Sequence, residues 1–145
     1  CNSLLYACAI MGIDMVACCP AVRMPNAEIM WKASKIAEEN GSKIIASHEP
    51  KEACVDADVL YTDTWISMGD STSVDDAVKM FQAYQINDEL LSIAKPTCIV
   101  MHCLPAHRGQ EVTAEVLDGP QSVIFDQAEN RLHAQKAVLY TLMKD

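Results

Sequence analysis

Four consecutive residues, His102-Cys103-Leu104-Pro105, place an imidazole and a thiol side by side. They follow Cys98-Ile99-Val100-Met101, an apolar run short enough to be a buried strand of a parallel sheet. In an open α/β sheet, ligands bind just beyond the carboxyl ends of the strands. A strand ending in His-Cys therefore delivers its side chains where such folds keep their chemistry. Pro105 stops the ladder, because it has no N–H to donate, and it restricts Leu104. The plainer alternative is that Cys103 is a small buried hydrophobe and His102 a satisfied core residue.

Two other strand ends carry polar groups. Asp63-Thr64-Trp65 closes one strand. Asp126 closes another, where a helix starts and soon carries Arg131. Neighbouring strand tips lie about 5 Å apart. Convergence of the three would gather a carboxylate, a thiol and a guanidinium in one crevice. Asp63 suits an ammonium group, and Arg131 near a helix N-terminus suits an anion. Each also has a purely structural use: Asp63 as the cap of its own turn, Arg131 as a solvated helix charge. Ser67-Met68-Gly69 reads as loop. His102, Cys103, His107 and His133 match no zinc-ligand spacing, so neither metal nor cofactor is expected. Neither G-x-G-x-x-G nor a P-loop occurs, and the crevice suits a small amino-acid-like ligand.

The elements that must position these residues alternate. Residues 2 to 11 read as a helix stopped by Gly12, and 13 to 19 as a strand. Asn26 caps a second helix with Ile29, Ala33, Ile36 and Ala37 on its buried stripe. Strand 43–47, a short helix 50–55 and strand 58–62 follow. Residues 75–84 and 89–94 are helical, the latter capped by Asn87. The fourth strand leads to His102, and Thr113 caps a short helix to Leu117. Val123 to Phe125 reads as a fifth strand. Asp126 and Glu129 then form a D-x-x-E cap for a last helix whose Ala134, Val138 and Leu142 face the core. This is the pattern of a doubly wound parallel sheet with helices on both faces, a Rossmann-like α/β fold.

The 145 residues suffice for one domain with a sizeable core. The net charge of −9 argues against nucleic acid and anionic membrane surfaces as partners. Seven cysteines, two of them adjacent and none in C-x-x-C, suit no disulfide framework. They point to a reducing, cytoplasmic setting. The apolar run from Leu4 to Gly12 is too short to span a bilayer.

Three segments in series carry a resemblance: residues 63–69, 102–109 and 128–131. Together they resemble ornithine carbamoyltransferase of the bacterial type, over essentially all 145 residues. The resemblance implies the second, ornithine-binding domain of a two-domain enzyme that converts L-ornithine and carbamoyl phosphate to L-citrulline and phosphate, a step of arginine metabolism. Asp63 resembles the acid that holds an amino group of ornithine. Ser67 and Met68 resemble the loop that closes over its amino-acid end. Cys103 resembles the proton acceptor beside the δ-amine. Leu104 resembles the residue offering a carbonyl to carbamoyl phosphate, with a cis bond to Pro105, and Arg131 the guanidinium on the carbamoyl oxygen. The resemblance also implies a homotrimer or a multiple of it.

The resemblance is partial. The family's Ser-x-Arg-Thr phosphate motif does not occur, and the chain has three arginines: Arg23, Arg108 and Arg131. The family places a central strand before the first helix of this domain. Residues 1 to 145 are therefore expected to be the ornithine-binding domain without the carbamoyl-phosphate domain, inactive alone, with two half-sheets lacking a strand between them. Two alternatives stand beside this reading. One is a carbamoyltransferase for another amine, such as putrescine or an acylated ornithine. The other is a non-catalytic amino-acid-binding module.

Overall fold

The computed structural model describes residues 1–66 and 71–144. The chain forms two compact units, Cys1–Ala53 and Cys54–Asp145.

In the first unit, α1 (Asn2–Met11), β1 (Met15–Cys18), α2 (Ala27–Glu39), β2 (Ile44–Ser47) and α3 (Pro50–Ala53) follow in order. β1 and β2 pair in parallel, Met15 opposite Ile44 and Cys18 opposite Ser47. Leu5, Ala9, Ala33 and Ala37 are fully buried, and the alanines let α1 and α2 approach closely. Ile29 and Ile36 pack on this core from its margin. Asn26 caps α2, its Oδ1 accepting the N–H groups of Glu28 (2.9 Å) and Ile29 (3.2 Å). Gly12 ends α1 in the left-handed region at φ +67°. A Cβ there would meet the Asn40 carbonyl at 3.1 Å.

The second unit contains β3 (Val59–Thr62), α4 (Val74–Phe81), α5 (Asp88–Ile93), β4 (Ile99–His102), α6 (Ala114–Leu117) and α7 (Ile124–Met143). β3 and β4 are parallel, and their last residues, Thr62 and His102, are register partners. Leu60, Leu90, Cys98, Val100, Val112, Val116 and Ile124 form the core around them. Asn87 caps α5 as expected, Oδ1 accepting from Leu90 N–H. The alternation of strands and helices and the parallel pairing are those of the expected α/β class, with four strands in two parallel pairs among the described residues.

Thr113 stands at the N-terminal boundary of α6 but makes no side-chain capping hydrogen bond, and three expectations are corrected at the last helix. Val123 to Phe125 is not a strand. In its place lies one isolated parallel bridge, Val100 to Ser122, built from Val100 N–H to Gln121 O and Val123 N–H to Val100 O. The Val123 carbonyl then accepts from Gln127 N–H, so the helix has already begun. A three-residue apolar run cannot separate a buried strand from a buried helix start. Asp126 is consequently not a cap: Val123 holds that position, and Asp126 lies in the first turn. Ala134, Val138 and Leu142 are exposed rather than core-facing, Leu142 at 77%. Apolar spacing predicts a stripe on a helix, but not that anything covers it.

Candidate functional site

The register of β3 and β4 determines the site. Because Thr62 lies opposite His102, the next residues, Asp63 and Cys103, emerge side by side beyond the carboxyl ends. Their side chains meet: the Cys103 thiol donates to Asp63 Oδ1 at 3.0 Å. The same oxygen accepts the Thr64 N–H at 2.7 Å, so Asp63 also serves its own turn. Among the described residues no donor reaches Asp63 Oδ2. Both side chains are exposed, so Cys103 is not the buried small hydrophobe of the plainer reading.

The electrostatics follow from this contact. Burial pushes the Cys103 thiol up, and the hydrogen bond and charge of Asp63 push it further. Burial would also raise Asp63. The Cys103 thiol and the Thr64 N–H outweigh that and hold the carboxyl below its ordinary value. At neutral pH the pair is therefore a thiol and a carboxylate. Tyr61 shares this face, two residues before Asp63 on the strand. Burial, with Cys103 beside it, pushes its phenol up to about 12.

His102 is the satisfied core residue of the plainer reading. It is 1% exposed. Nδ1 accepts from Leu104 N–H at 2.8 Å, so the proton of a neutral ring lies on Nε2, which meets Glu111 Oε1 at 3.1 Å. Glu111 is fully buried, and Oε1 also accepts from His107 N–H at 2.5 Å. Leu104 sits in the left-handed region at φ +57°, unusual for a side chain of its size, and its bond to Pro105 is cis, as the resemblance implies. The bond to His102 Nδ1 helps hold this turn, and the turn aims Cys103 at Asp63.

Arg131 stands differently. It is the eighth residue of α7, beyond the first turn where a helix dipole acts, so the expected anion-binding helix start is not its setting. It is exposed and makes no hydrogen bond or ion pair among the described residues. Gln127, one turn earlier on the same side of α7, does reach the strand ends. Its Oε1 accepts the His102 N–H at 3.0 Å, and its Nε2 donates to Tyr61 Oη at 3.5 Å. The structure thus joins Asp63 and Cys103 directly, and puts Arg131 one helical turn from a residue bonded to the same strands. Ser67 and Met68 lie outside the described residues.

Tyr61, Glu111 and Gln127 escape sequence reasoning. For Tyr61 the two-residue spacing to Asp63 was the available signal, and for Gln127 the four-residue spacing to Arg131. Nothing in the sequence distinguishes Glu111, an acid in a polar loop, from a solvated one. Of the other arginines, Arg108 is held by Asp118 at 2.9 and 2.8 Å. Among the described residues no three His, Cys, Asp or Glu groups gather in a metal-binding cluster. No described helix is long and apolar enough to cross a membrane.

A carboxylate with one oxygen unpartnered among the described residues, beside a protonated thiol, can hold an ammonium group and manage its proton. Comparison with known proteins bears on which one. Residues 1–142 match the family model of the aspartate/ornithine carbamoyltransferase Asp/Orn-binding domain. An ornithine carbamoyltransferase of Methanothermobacter thermautotrophicus is 54% identical over 145 residues, all of this chain and 48% of the relative. One of Methanosphaera stadtmanae is 55% identical over the same span and share. The solved ornithine carbamoyltransferase of Pyrococcus furiosus superposes with a TM-score of 0.91 at 47% identity, covering 96% of this chain and 44% of that one. The chain spans about half the length of the relatives it matches.

Proposed function

This chain belongs to the aspartate/ornithine carbamoyltransferase family through its Asp/Orn-binding domain, and from that premise we propose that residues 1 to 145 are the ornithine-binding domain of an ornithine carbamoyltransferase. The carrying observation is the 3.0 Å contact between Cys103 and Asp63 at adjacent strand ends. In this reading Asp63 receives an amino group of ornithine, Ser67 and Met68 close over its amino-acid end, and Cys103, Leu104 and Arg131 face the carbamoyl group. The relatives at 47 to 55% identity described above carry ornithine carbamoyltransferase names, which favours ornithine over putrescine or an acylated ornithine. The other half of the protein supplies carbamoyl phosphate. That division agrees with Arg108 being committed to Asp118, since a phosphate dianion wants several fixed donors.

The reaction requires a free amine, and the δ-amine of ornithine, with an unperturbed pKa of about 10.4, is charged at pH 7. An ammonium group arriving at Asp63 competes with the Cys103 thiol for the carboxylate. Its positive charge also lowers the cost of a thiolate beside it. As the ammonium group binds, the thiol gives its proton to water, and the thiolate then takes one from the amine. The amine nitrogen then attacks the carbamoyl carbon. The C–N bond forms, the bond to the phosphate oxygen breaks, and the nitrogen's second proton leaves with phosphate. Arg131 stabilises the oxyanion that develops on the carbamoyl oxygen.

The seven free cysteines support a reducing, cytoplasmic setting. Among the described residues each sheet has two strands, and β4 alone is bridged on its outer side, to Ser122; the unpaired strand sides support a further strand supplied by the rest of the protein. Membership of the family supports a homotrimer or a multiple of it. Citrulline formation by the full-length protein, with ornithine, putrescine and acetylornithine as separate amine substrates, tests the proposal. Turnover of ornithine in preference to the other two is the expected result. Ornithine binding by calorimetry without turnover would instead favour a non-catalytic module.

A further inference from the structure

Gln127 holds a position that the proposed chemistry does not use. It is half-buried while its neighbours along α7 from Ala128 onward are exposed. Both ends of its amide are engaged: Oε1 accepts the backbone N–H of His102, the last residue of β4, and Nε2 donates to the Tyr61 hydroxyl on β3. One side chain therefore bonds α7 to both strands that present Asp63 and Cys103. His102 N–H is the last backbone donor of β4, and Pro105 lies just beyond it. Without Gln127 that half-buried donor would lack a partner among the described residues. Arg131 follows four residues later on the same side of the helix. Its own side chain makes no hydrogen bond or ion pair among the described residues, so its placement depends on how α7 is docked.

We propose that Gln127 is a positioning residue: by bonding His102 N–H and the Tyr61 hydroxyl it sets the approach of α7 to the strand ends, and so sets where the Arg131 guanidinium meets an anionic substrate. The inference rests on the proposed role of Arg131 and names a separate residue for it. Other candidates carry less. Nothing on the structure says what covers the exposed apolar side of α7, and Glu111 acts through the His102 turn already described.

The test is a double-mutant cycle in the full-length protein, reading kcat/KM for carbamoyl phosphate. Gln127→Met keeps the volume and removes both hydrogen bonds. It should cost roughly ten- to a hundred-fold, the range expected when a catalytic group is misplaced by about 1 Å. KM for ornithine should change much less. Gln127→Glu keeps an acceptor for His102 N–H and can accept from the Tyr61 hydroxyl, so it should recover most of the loss. In an Arg131→Ala background, Gln127→Met should cost nothing further, because coupled residues are non-additive. Full additivity, or equal damage to both substrates, overturns the inference. An Arg131→Ala protein with parental kcat/KM overturns the proposed role of Arg131 itself, and a Gln127→Met loss that persists there marks a general packing role instead. Thermal unfolding of each variant separates a folding defect from misplacement, and the Glu variant stands if Met does not fold.

Discussion

At the level of single residues the site is a proton-sharing pair whose two members are pushed apart. Asp63 disfavours the Cys103 thiolate, so removing its charge should ease ionisation of the thiol. Alkylation of Cys103, read by mass spectrometry of its peptide, follows the thiolate fraction. Its pH profile should lie above the usual thiol range near 8.5 and move to lower pH in Asp63→Asn. A profile that does not move removes the contact from the argument. In the full-length protein, Asp63→Asn should weaken ornithine by roughly ten- to a hundred-fold, the worth of one hydrogen bond to a charged group. Carbamoyl phosphate binding, titrated alone, should be largely unchanged. Cys103→Ala should lower kcat more than it raises KM, by a factor of about 10² or more if the sulfur acts as the base. A rate close to that of the parent protein would leave Cys103 as a packing residue.

At the level of elements, caps and register do the positioning. Parallel pairing that ends with Thr62 opposite His102 is what makes Asp63 and Cys103 neighbours. A slip of one residue would turn one of them to the other face of the sheet. Asn26 satisfies two N–H groups of α2 that the helix itself cannot, and Asn26→Ala should cost about 1 kcal/mol in chemical denaturation. The last helix gives the opposite expectation. Val138 and Leu142 are exposed, so Val138→Glu and Leu142→Glu should change the stability of residues 1 to 145 by no more than about 0.5 kcal/mol. Losses of several kcal/mol would mean that these side chains are buried after all.

At the level of the whole molecule, the chain is half the length of its relatives and holds one side of the proposed chemistry. Arg108 is tied to Asp118, and the family's phosphate motif does not occur in the sequence. Purified residues 1 to 145 should therefore make no measurable citrulline, whereas the full-length protein should. Citrulline from the isolated chain, by colorimetric or mass assay, would show that the phosphate side of the site lies within it.

By itself the sequence determined the local structure and the chemistry-bearing positions. Gly12, Asn26 and Asn87 mark helix ends because their φ angle or side-chain oxygen answers an immediate backbone need, a property of a few neighbouring residues. His102-Cys103 and Asp63 are legible because alternation of strands and helices places them past strand ends, where parallel folds keep polar groups. Only the tertiary structure decided which strand ends are neighbours, since the register between β3 and β4 joins residues forty apart. It also decided that Val123 opens a helix, because one bridge to Val100 leaves no length for a strand. The same holds for the exposed stripe of α7, for the buried pairing of Glu111 with His102, and for Gln127. Burial and partnership depend on what the rest of the chain brings alongside, and a linear pattern of residue types carries no record of that.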